Sequence, residues 1–593
     1  MKRSRRLALR PYPRPPMANL SDHDLLQMDQ AWQEGQPESV VRALLKRTLD
    51  DLRAARDRLN QRPDNSSRPP GSIAPWQRGT GPASDVASDE LPHDEPDPDS
   101  ERLDPPGSDA ASLAPQAGAA GATGQAQPNA PTSDAKSEVA TCVQLKTTLP
   151  RRPGRRVGAP GHGRQQTLMP TCIQEHRPPC CSACQQPLPS DGEAQAWTGW
   201  NTLEMVPLRA DESDAAAVLG VRIEVTRHRL MQQRCACGHT TRAQALRADE
   251  DALWPGVDIS QQRLLGPRLA AAVVHLCVRM RLPRRKASEL LLEWFGLELS
   301  AALIDQTVHQ AARSVAALEP QLVEQLEQAA LVYADETSWN EARRALWLWV
   351  LCCSHTVLYV IGARTKEMFD KALSTAFGGT LMSDGYCAYR ARLLRLRCWA
   401  HLKRKLRGLA ESTDRYAAQA GSAMLQMFEA LIVAVFEARA RLAQPPQAGA
   451  GPSVAPPAIT HAHQVAQLRQ LCQQHRDASH KALRELAREF LNDWEVIMRP
   501  LDDPRLPLTN NAAERQLRHY VIARRITYGT RTPVGSHSVA LLASIIDTCR
   551  LRRASATDLL ARAIYATRMG LPAPALPPIP LDLARPIASL LEM

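Results

Sequence analysis

The chain has 593 residues and a formal net charge of +11, from 73 basic and 62 acidic side chains. This length is enough for several domains, each with its own core. Its apolar runs are far shorter than the ~18 residues that span a bilayer, and no apolar stretch follows the basic first residues, so the sequence excludes an integral membrane protein and a secretory signal. The fourteen cysteines are then expected in a reducing compartment, where they bind metal or fill core space.

The first predicted element is a helix over residues 38–60, within an N-terminal segment 1–60. Leu45, Leu52 and Leu59 follow one another at heptad spacing, with charged residues between them. An amphipathic helix on a small bundle and a dimerisation helix both fit this pattern.

Residues 61–135 are predicted to form a disordered, acidic, proline-rich linker. They hold four arginines against twelve acidic residues, a local charge of −8, and are almost without aromatic side chains. The other parts of the chain therefore have a charge of +19, and a basic body of this size indicates a nucleic-acid partner.

A basic arm opens the next predicted domain, 136–250. Its sequence RRPGRRVGAPGHGRQQ contains five arginines and no acid. Arg155 and Arg156 are candidate DNA contacts, because an extended arm of this kind can follow a phosphate backbone. A solvated loop is the plainer interpretation.

Two cysteine pairs in the same domain predict a zinc-ribbon-like fold. Cys181 and Cys184 form a tight-turn pair, and Cys235 and Cys237 form a second one, with His239 as a substitute ligand. An alternating stretch between the pairs reads as a strand. Scattered buried cysteines are the alternative.

The region 251–330 has apolar residues at helical spacing, with breaks near Pro283 and Gly296. Basic residues crowd the connection around Pro283, and Arg284 and Arg285 are candidate DNA contacts. Short helices with a basic turn fit a helix-turn-helix reader, and a helical brace for the next domain fits almost as well.

A change to short β-like runs over 331–363 predicts an antiparallel meander that opens a domain over 331–570. Asp335 lies in the first run, and Asp384 ends a later strand-like run. A buried strand tolerates a carboxylate only if it is paired, hydrogen-bonded or metal-bound, so two such residues in one sheet suit a divalent cation with oxygen ligands. Asp335 could instead be a turn residue, and Glu336 beside it competes for the role.

Glu514 is the candidate for a third carboxylate, one turn inside a predicted helix. The competing interpretation is a capping box, in which Asn511 and Glu514 only satisfy backbone groups. The arginines that follow form a basic face and are candidate DNA contacts: Arg515, Arg518, Arg524 and Arg525.

Between Asp384 and Glu514, two long helices are predicted, over 415–443 and 461–497, which indicates an all-helical insertion at about 405–500. The segment that leads into it contains eight basic residues from Arg390 to Arg407, among them the candidate DNA contacts Lys403 and Arg404. Cys398 and His401 lie in this segment too, and the segment could lie on DNA near the scissile phosphate. The alternative is that Cys398 and Trp399 only pack the insertion against the sheet.

Several motifs, in this order, resemble the transposases of the insertion sequence 66 family. They are GHGRQQTLMP, the cysteine knuckles, YADETSW, SDGYCAYR, CWAHLKRKL, LTNNAAERQLRHYVIARRITYGT and SIIDTCRLRRASATDLL. The resemblance covers about residues 140–570. It implies a ribonuclease-H-like core of the DDE type with an all-helical insertion, in which Asp335, Asp384 and Glu514 match the metal-binding triad. The Cys-x2-His segment resembles a short motif after the second aspartate in several DDE families. The second knuckle is one residue shorter than the family's usual pair.

The fold class expected is therefore multidomain α/β: a mixed sheet with flanking helices, after a zinc-ribbon-like domain and a helical DNA-binding region, with a C-terminal tail over 571–593. The function expected is that of a DNA transposase that binds terminal inverted repeats and catalyses 3′-end cleavage and strand transfer with two Mg²⁺ ions, or Mn²⁺ in their place. Zn²⁺ would be structural. DNA ends and target are the expected partners, with homo-oligomerisation on synapsis, accessory proteins of the same element, and a cytoplasmic, nucleoid-associated location. The alternatives are a metal-dependent nuclease on the same core and a catalytically inactive DNA-binding regulator.

Overall fold

The structure is a computed structural model. It describes residues 37–59, 169–208, 220–443 and 455–583. The linker 61–135 and the basic arm with Arg155 and Arg156 lie outside these ranges, so the predictions made for them stay predictions.

The predicted N-terminal helix is present as α1, Glu38–Leu59. Its Asp57 carboxylate accepts hydrogen bonds from the Ser412 hydroxyl, at 2.8 Å, and from the Thr413 backbone N–H, at 2.9 Å. Leu45 and Leu52, two of the heptad leucines, are exposed. The helix is therefore attached to the helical insertion near its C-terminal end, with apolar side chains open to solvent.

A small sheet follows, built on a long hairpin. Its strands are β1 (Cys172–His176), β2 (Ala194–Pro207), β3 (Val221–Arg234) and β4 (Thr240–Arg242). β3 pairs antiparallel with β2 and β4 and parallel with β1. The strand predicted from the alternating stretch is β3. β2 was not predicted, because its outer half is exposed and lacks a clear alternation of apolar residues.

The next region is helical, as predicted. It contains α2 (Pro267–Val278), α3 (Arg284–Phe295), α4 (Ala301–Ser314), a 3₁₀ turn (Ala316–Leu318) and α5 (Glu319–Glu327). The two predicted breaks are confirmed: Pro283 precedes α3, and Gly296 ends it with a φ of +64° that favours glycine. The backbone N–H of Leu269, in the first turn of α2, donates to the Glu204 carboxylate of β2 at 2.9 Å, which fastens the hairpin to this helix.

The helix α2 is a structural brace. Most of its side chains are buried, and it packs against α4 and against α15 (Ala556–Arg568), near the C-terminus. Arg279, at its end, donates to the buried Asp547 carboxylate at 3.1 Å. This arrangement favours the brace interpretation for α2 over that of a DNA reader.

The central sheet has five strands in the order β7-β6-β5-β8-β9. They are β5 (Leu331–Glu341), β6 (Arg344–Cys352), β7 (Val357–Gly362), β8 (Thr380–Ser383) and β9 (Arg395–Arg397), with α6 (Lys366–Ala372) between β7 and β8. The first three strands form the predicted antiparallel meander, and β8 and β9 continue parallel to β5. The sheet and its flanking helices confirm the α/β class.

Helices after the insertion cover the sheet. They are α13 (Asn511–Thr527), α14 (Pro533–Leu551) and α15. The edge strand β7 is closed by α14, because the Thr548 and Ser544 hydroxyls accept its backbone N–H groups at 3.0 and 2.8 Å. The stretch SIIDTCRLRRASATDLL is not one helix, since the chain turns at Arg553, with a φ of +54°.

The insertion is all-helical. Its helices are α7 (Trp399–Ala410), α8 (Arg415–Leu442), α9 (Pro457–Thr460), α10 (Ala462–Gln474), α11 (Lys481–Asn492) and α12 (Trp494–Asp502). The predicted single helix 461–497 is wrong, because the chain breaks before Lys481 and again at Asp493. The insertion has its own core, around Trp399, Phe428 and Phe490. In the described ranges, α8 alone is long and apolar enough to cross a membrane, and its apolar side is buried in this core.

Candidate active site and cysteine cluster

Two carboxylates lie near the place where β5 and β8 run side by side. The two strands pair in parallel, with Tyr333 opposite Met382 as the last pair. Asp335 follows two residues later, within β5, and Asp384 comes directly after β8. The charge of Asp384 helps to raise the pKa of Asp335, which shows that the two carboxylates are neighbours.

Glu514 reaches this place on the first turn of α13. The helix starts after Asn510, which is fully buried and donates its side-chain N–H to the carbonyl of Ala334 at 2.9 Å. Ala334 immediately precedes Asp335. Asn510 therefore joins the start of α13 to β5 beside the first aspartate, which brings Glu514 to the two strand ends.

The three carboxylates influence one another electrostatically. Burial raises the pKa of Asp335 well above its ordinary value, and the charges of Asp384, Glu336 and Glu514 raise it further. Mutual repulsion of this kind is relieved by a divalent cation. The donor set, oxygen only and negatively charged, fits Mg²⁺ or Mn²⁺.

Glu336, the rival of Asp335 in the sequence reading, is held by other partners. Its carboxylate accepts two hydrogen bonds from Arg364, at 2.7 and 3.1 Å, and one from the Tyr389 hydroxyl. The Arg364 guanidinium lies over the rings of Trp347 and Tyr386, at 4.2 and 4.1 Å from their centroids. Glu336 is therefore paired, and Asp335 faces the other two carboxylates.

The Cys-x2-His segment connects all the parts of this site. The Cys398 N–H donates to the Ser383 carbonyl, which precedes Asp384, at 3.0 Å. Its sulfur accepts the backbone N–H of Asn510 at 3.3 Å. One turn into α7, His401 Nδ1 lies 3.7 Å from Glu514 Oε1. Burial first, and then Arg404, Lys405 and Arg397, lower the pKa of His401 to about 3.

Ligand atoms within 4.8 Å of one another occur in two groups in the part of the chain that the structure describes. One is the four-cysteine group and the other is Cys398, His401 and Glu514. The Asp335, Asp384 and Glu514 set is not such a group. The carboxylates are nevertheless close enough for Asp384 and Glu514 to raise the pKa of Asp335.

A salt-bridge network that the sequence reading missed supports the Asp384 turn. Arg397 of β9 is buried and pairs with Asp493 and Glu489 of the insertion, and Lys405 donates to Glu489 at 2.8 Å. An added side chain at Gly385 would clash with the Arg397 guanidinium. Nothing local in the sequence marks these partners, because they lie more than 90 residues from Arg397.

A cleft of about 380 Å³ opens beside Asp384. Its basic lining comes from the core and the insertion together: Arg364, Arg390, Lys405 and Arg488. Glu485 and Glu489 line it as well. The cleft is large enough for a phosphate and its neighbours on a nucleic-acid strand.

The candidate DNA contacts have different environments. Arg515, Arg518 and Arg525 are exposed on α13, and Arg285 is exposed on α3. Arg404 lies 3.9 Å from Glu514 Oε1.

Three other candidates have protein partners. Arg524 donates to Thr337 and Ser338 of β5, so it attaches α13 to the sheet. Arg284 donates to Asp305 at 3.1 Å, and Lys403 pairs with Glu429 at 3.2 Å.

The four predicted cysteines converge at one end of the small sheet. Cys181 Sγ lies 3.7 Å from Cys237 Sγ, and Cys184 Sγ lies 3.6 Å from Cys235 Sγ. Such spacings fit thiolates that share one tetrahedral Zn²⁺ ion, so the short Cys-x-Cys knuckle does not prevent convergence. His239 is outside the group, because its Nε2 is hydrogen-bonded to the Ser182 hydroxyl at 2.9 Å.

Comparison with known families agrees with the motifs. Residues 262–538, a little under half of the chain, match the family described as Transposase IS66 family. This region is therefore that of an IS66-family transposase, and the predicted resemblance is confirmed. A search of curated proteins finds no match.

Proposed function

We propose that this chain, which contains the transposase region of the IS66 family, binds the terminal inverted repeats of an insertion sequence and catalyses Mg²⁺-dependent 3′-end cleavage and strand transfer. One observation supports this most: Asp335 on β5 is close enough to Asp384, directly after β8, and to Glu514 on α13 for their charges to raise its pKa, and Asn510 joins the start of α13 to β5. The strand order, with three antiparallel strands followed by two parallel ones, fits a ribonuclease-H-like core.

Asp335, Asp384 and Glu514 would hold two divalent ions. When bound, such ions activate an attacking oxygen and stabilise the leaving 3′ oxygen of an in-line displacement. Arg404, Arg515 and Arg518 would orient the phosphates near this site and offset their charge. No protein nucleophile is required by this chemistry, since water attacks in the cleavage step and the freed 3′-OH in the joining step.

The other parts of the chain would serve DNA recognition. The cysteine group would hold a structural Zn²⁺ ion at the end of the long hairpin. Arg285, on α3, and the arm with Arg155 and Arg156 are further candidate contacts. The same proposal includes homo-oligomers on synapsis and accessory proteins of the same element. It also includes a cytoplasmic, nucleoid-associated location.

The test is a joining assay with labelled terminal-repeat DNA, target plasmid and Mg²⁺. We expect joined products from the wild type and none from Asp384→Ala. Asp558→Ala, which removes an exposed carboxylate paired with Arg562, is the matched control and should join normally.

Two results would contradict the proposal. Cleaved ends without joined products would favour a metal-dependent nuclease on the same core. End binding without cleavage, equal in the wild type and in Asp384→Ala, would favour a catalytically inactive DNA-binding regulator.

A further inference from the structure

Glu514 has a second set of neighbours that the triad does not use. Its Oε1 lies 3.7 Å from His401 Nδ1, and together with the Cys398 thiol these ligand atoms lie within 4.8 Å of one another. His401 is in the first turn of α7, Cys398 directly precedes that helix, and Glu514 is in the first turn of α13. The fold therefore fixes their relative positions.

The separation is not that of a hydrogen bond. An imidazole nitrogen and a carboxylate oxygen hydrogen-bond at about 2.7–3.0 Å, and the buried His401 Nδ1 makes no hydrogen bond. In a tetrahedral site, bond lengths of about 2.0–2.3 Å hold the ligand atoms about 3.3–3.8 Å apart. The sulfurs of the four-cysteine group, at 3.6 and 3.7 Å, have the same spacing.

An ion pair is the competing explanation for this contact. Arg404 lies three residues after His401 and 3.9 Å from the same Glu514 oxygen. Arg404 therefore already offers this oxygen a positive charge, and a shared ion accounts for the 3.7 Å spacing of the unbonded His401 Nδ1 from it.

Hydrogen bonds to its sulfur and from its backbone hold Cys398 in place. It is buried and accepts the Asn510 backbone N–H at 3.3 Å, while its own N–H is fixed on the Ser383 carbonyl. Outer hydrogen bonds of this kind orient a ligand for its metal.

We propose that Cys398, His401 and Glu514 form a second zinc-type site, distinct from the four-cysteine group, at the start of α13. Thiolate and imidazole donors select a borderline ion such as Zn²⁺ or Co²⁺ over Mg²⁺, which prefers oxygen. Three protein donors leave a fourth position for a water or phosphate oxygen. The inference rests on the proposed function only through Glu514, which belongs to both sets.

Zinc content of the full-length protein tests this site. The protein is saturated with Zn²⁺, dialysed against metal-free buffer and analysed for zinc per chain. We expect two equivalents in the wild type and one in Cys398→Ala and in His401→Gln, a twofold loss. Cys472→Ala, which removes another buried cysteine of the insertion, is the matched control and should keep two.

His401→Gln keeps the inference testable if Cys398→Ala does not fold, because the imidazole is only partly buried and glutamine is of similar size. One equivalent in the wild type, or two in folded His401→Gln, would overturn the inference. Joining activity with Mg²⁺ is measured separately. A wild type that joins DNA but holds one zinc ion per chain contradicts this site alone. A wild type that holds two zinc ions per chain but does not join DNA contradicts the proposed function alone.

Discussion

The four-cysteine group and the carboxylate triad are both candidate metal centres, and they differ in their donor atoms and in the spacing of those atoms. The four sulfurs lie within 4.8 Å of one another, whereas Asp335, Asp384 and Glu514 do not. Thiols are neutral when protonated and pack together at little cost, but carboxylates at neutral pH repel one another. The four-cysteine group is thus a closed site, whereas the carboxylate triad is an open site, whose oxygens need a balancing positive charge to approach as closely.

The largest effect is expected where the open site loses a ligand. Asp384→Asn keeps the shape of the side chain and removes its charge, so we expect cleavage of terminal-repeat DNA to fall on the order of 10³-fold or more, the scale of losing a main electrostatic group of an active site. Zinc per chain should not change. Substantial cleavage by this variant would show that the two centres do not divide structure and catalysis as proposed.

Chelation should separate the two centres by stability. If Zn²⁺ closes the cysteine group, its removal by a strong chelator costs several kcal/mol in this small sheet, and limited proteolysis should then cut within 169–250. Cys184→Ser should show the same cuts without chelator. Cys172→Ser, an exposed cysteine outside the group, is the control. An unchanged digestion pattern would mean that the hairpin holds its fold without an ion.

Asn510 tests how far the open site depends on its support. Asn510→Ala removes the bond to Ala334 that fixes the start of α13 beside β5. We expect cleavage to fall about 10–100-fold, as for supporting residues of metal sites, with the four-cysteine zinc unaffected. Asn201→Ala, on β2 of the small sheet, provides a comparison of equal chemistry. Equal activity in both variants would argue against positioning by Asn510.

The free energy of unfolding should depend on pH through the buried Asp335 carboxylate. The pKa of Asp335 is raised in the folded state, so its contribution to stability is present below the unfolded value and is lost as pH rises through the folded value. Without added Mg²⁺ at pH 7, Asp335→Asn should therefore increase the free energy of unfolding, seen as a higher Tm. At acidic pH the difference should disappear. A lower Tm for the variant at pH 7 would contradict a folded state in which burial and the neighbouring carboxylates disfavour the charged Asp335.

The smallest effect is expected on the exposed face of α13. Arg518→Gln should weaken DNA binding a few-fold and reduce the salt slope by about 1, since one phosphate contact is lost. Arg553→Gln, at an exposed arginine paired with Asp582, is the control and should leave the slope unchanged. An equal slope for wild type and Arg518→Gln would remove this arginine from the DNA interface.

Local patterns were sufficient for much of the fold. Alternating apolar residues predicted the meander β5 to β7, and Pro283 and Gly296 marked the limits of α3. Short or exposed strands were not predicted: β9 has three residues, and the outer half of β2 lacks an apolar face. The predicted helix 461–497 failed because its breaks contain no proline or glycine.

The sequence by itself determined the residue types of the candidate site, through Asp335, Asp384, Glu514 and the four cysteines. Only the tertiary structure decided which of them approach one another. It brought Asp335 near Asp384 through the parallel pairing of β5 with β8, paired Glu336 with Arg364, and placed His401 beside Glu514. The physical reason is that a residue's chemistry is local, whereas ligand distances depend on contacts between segments that are far apart in the sequence.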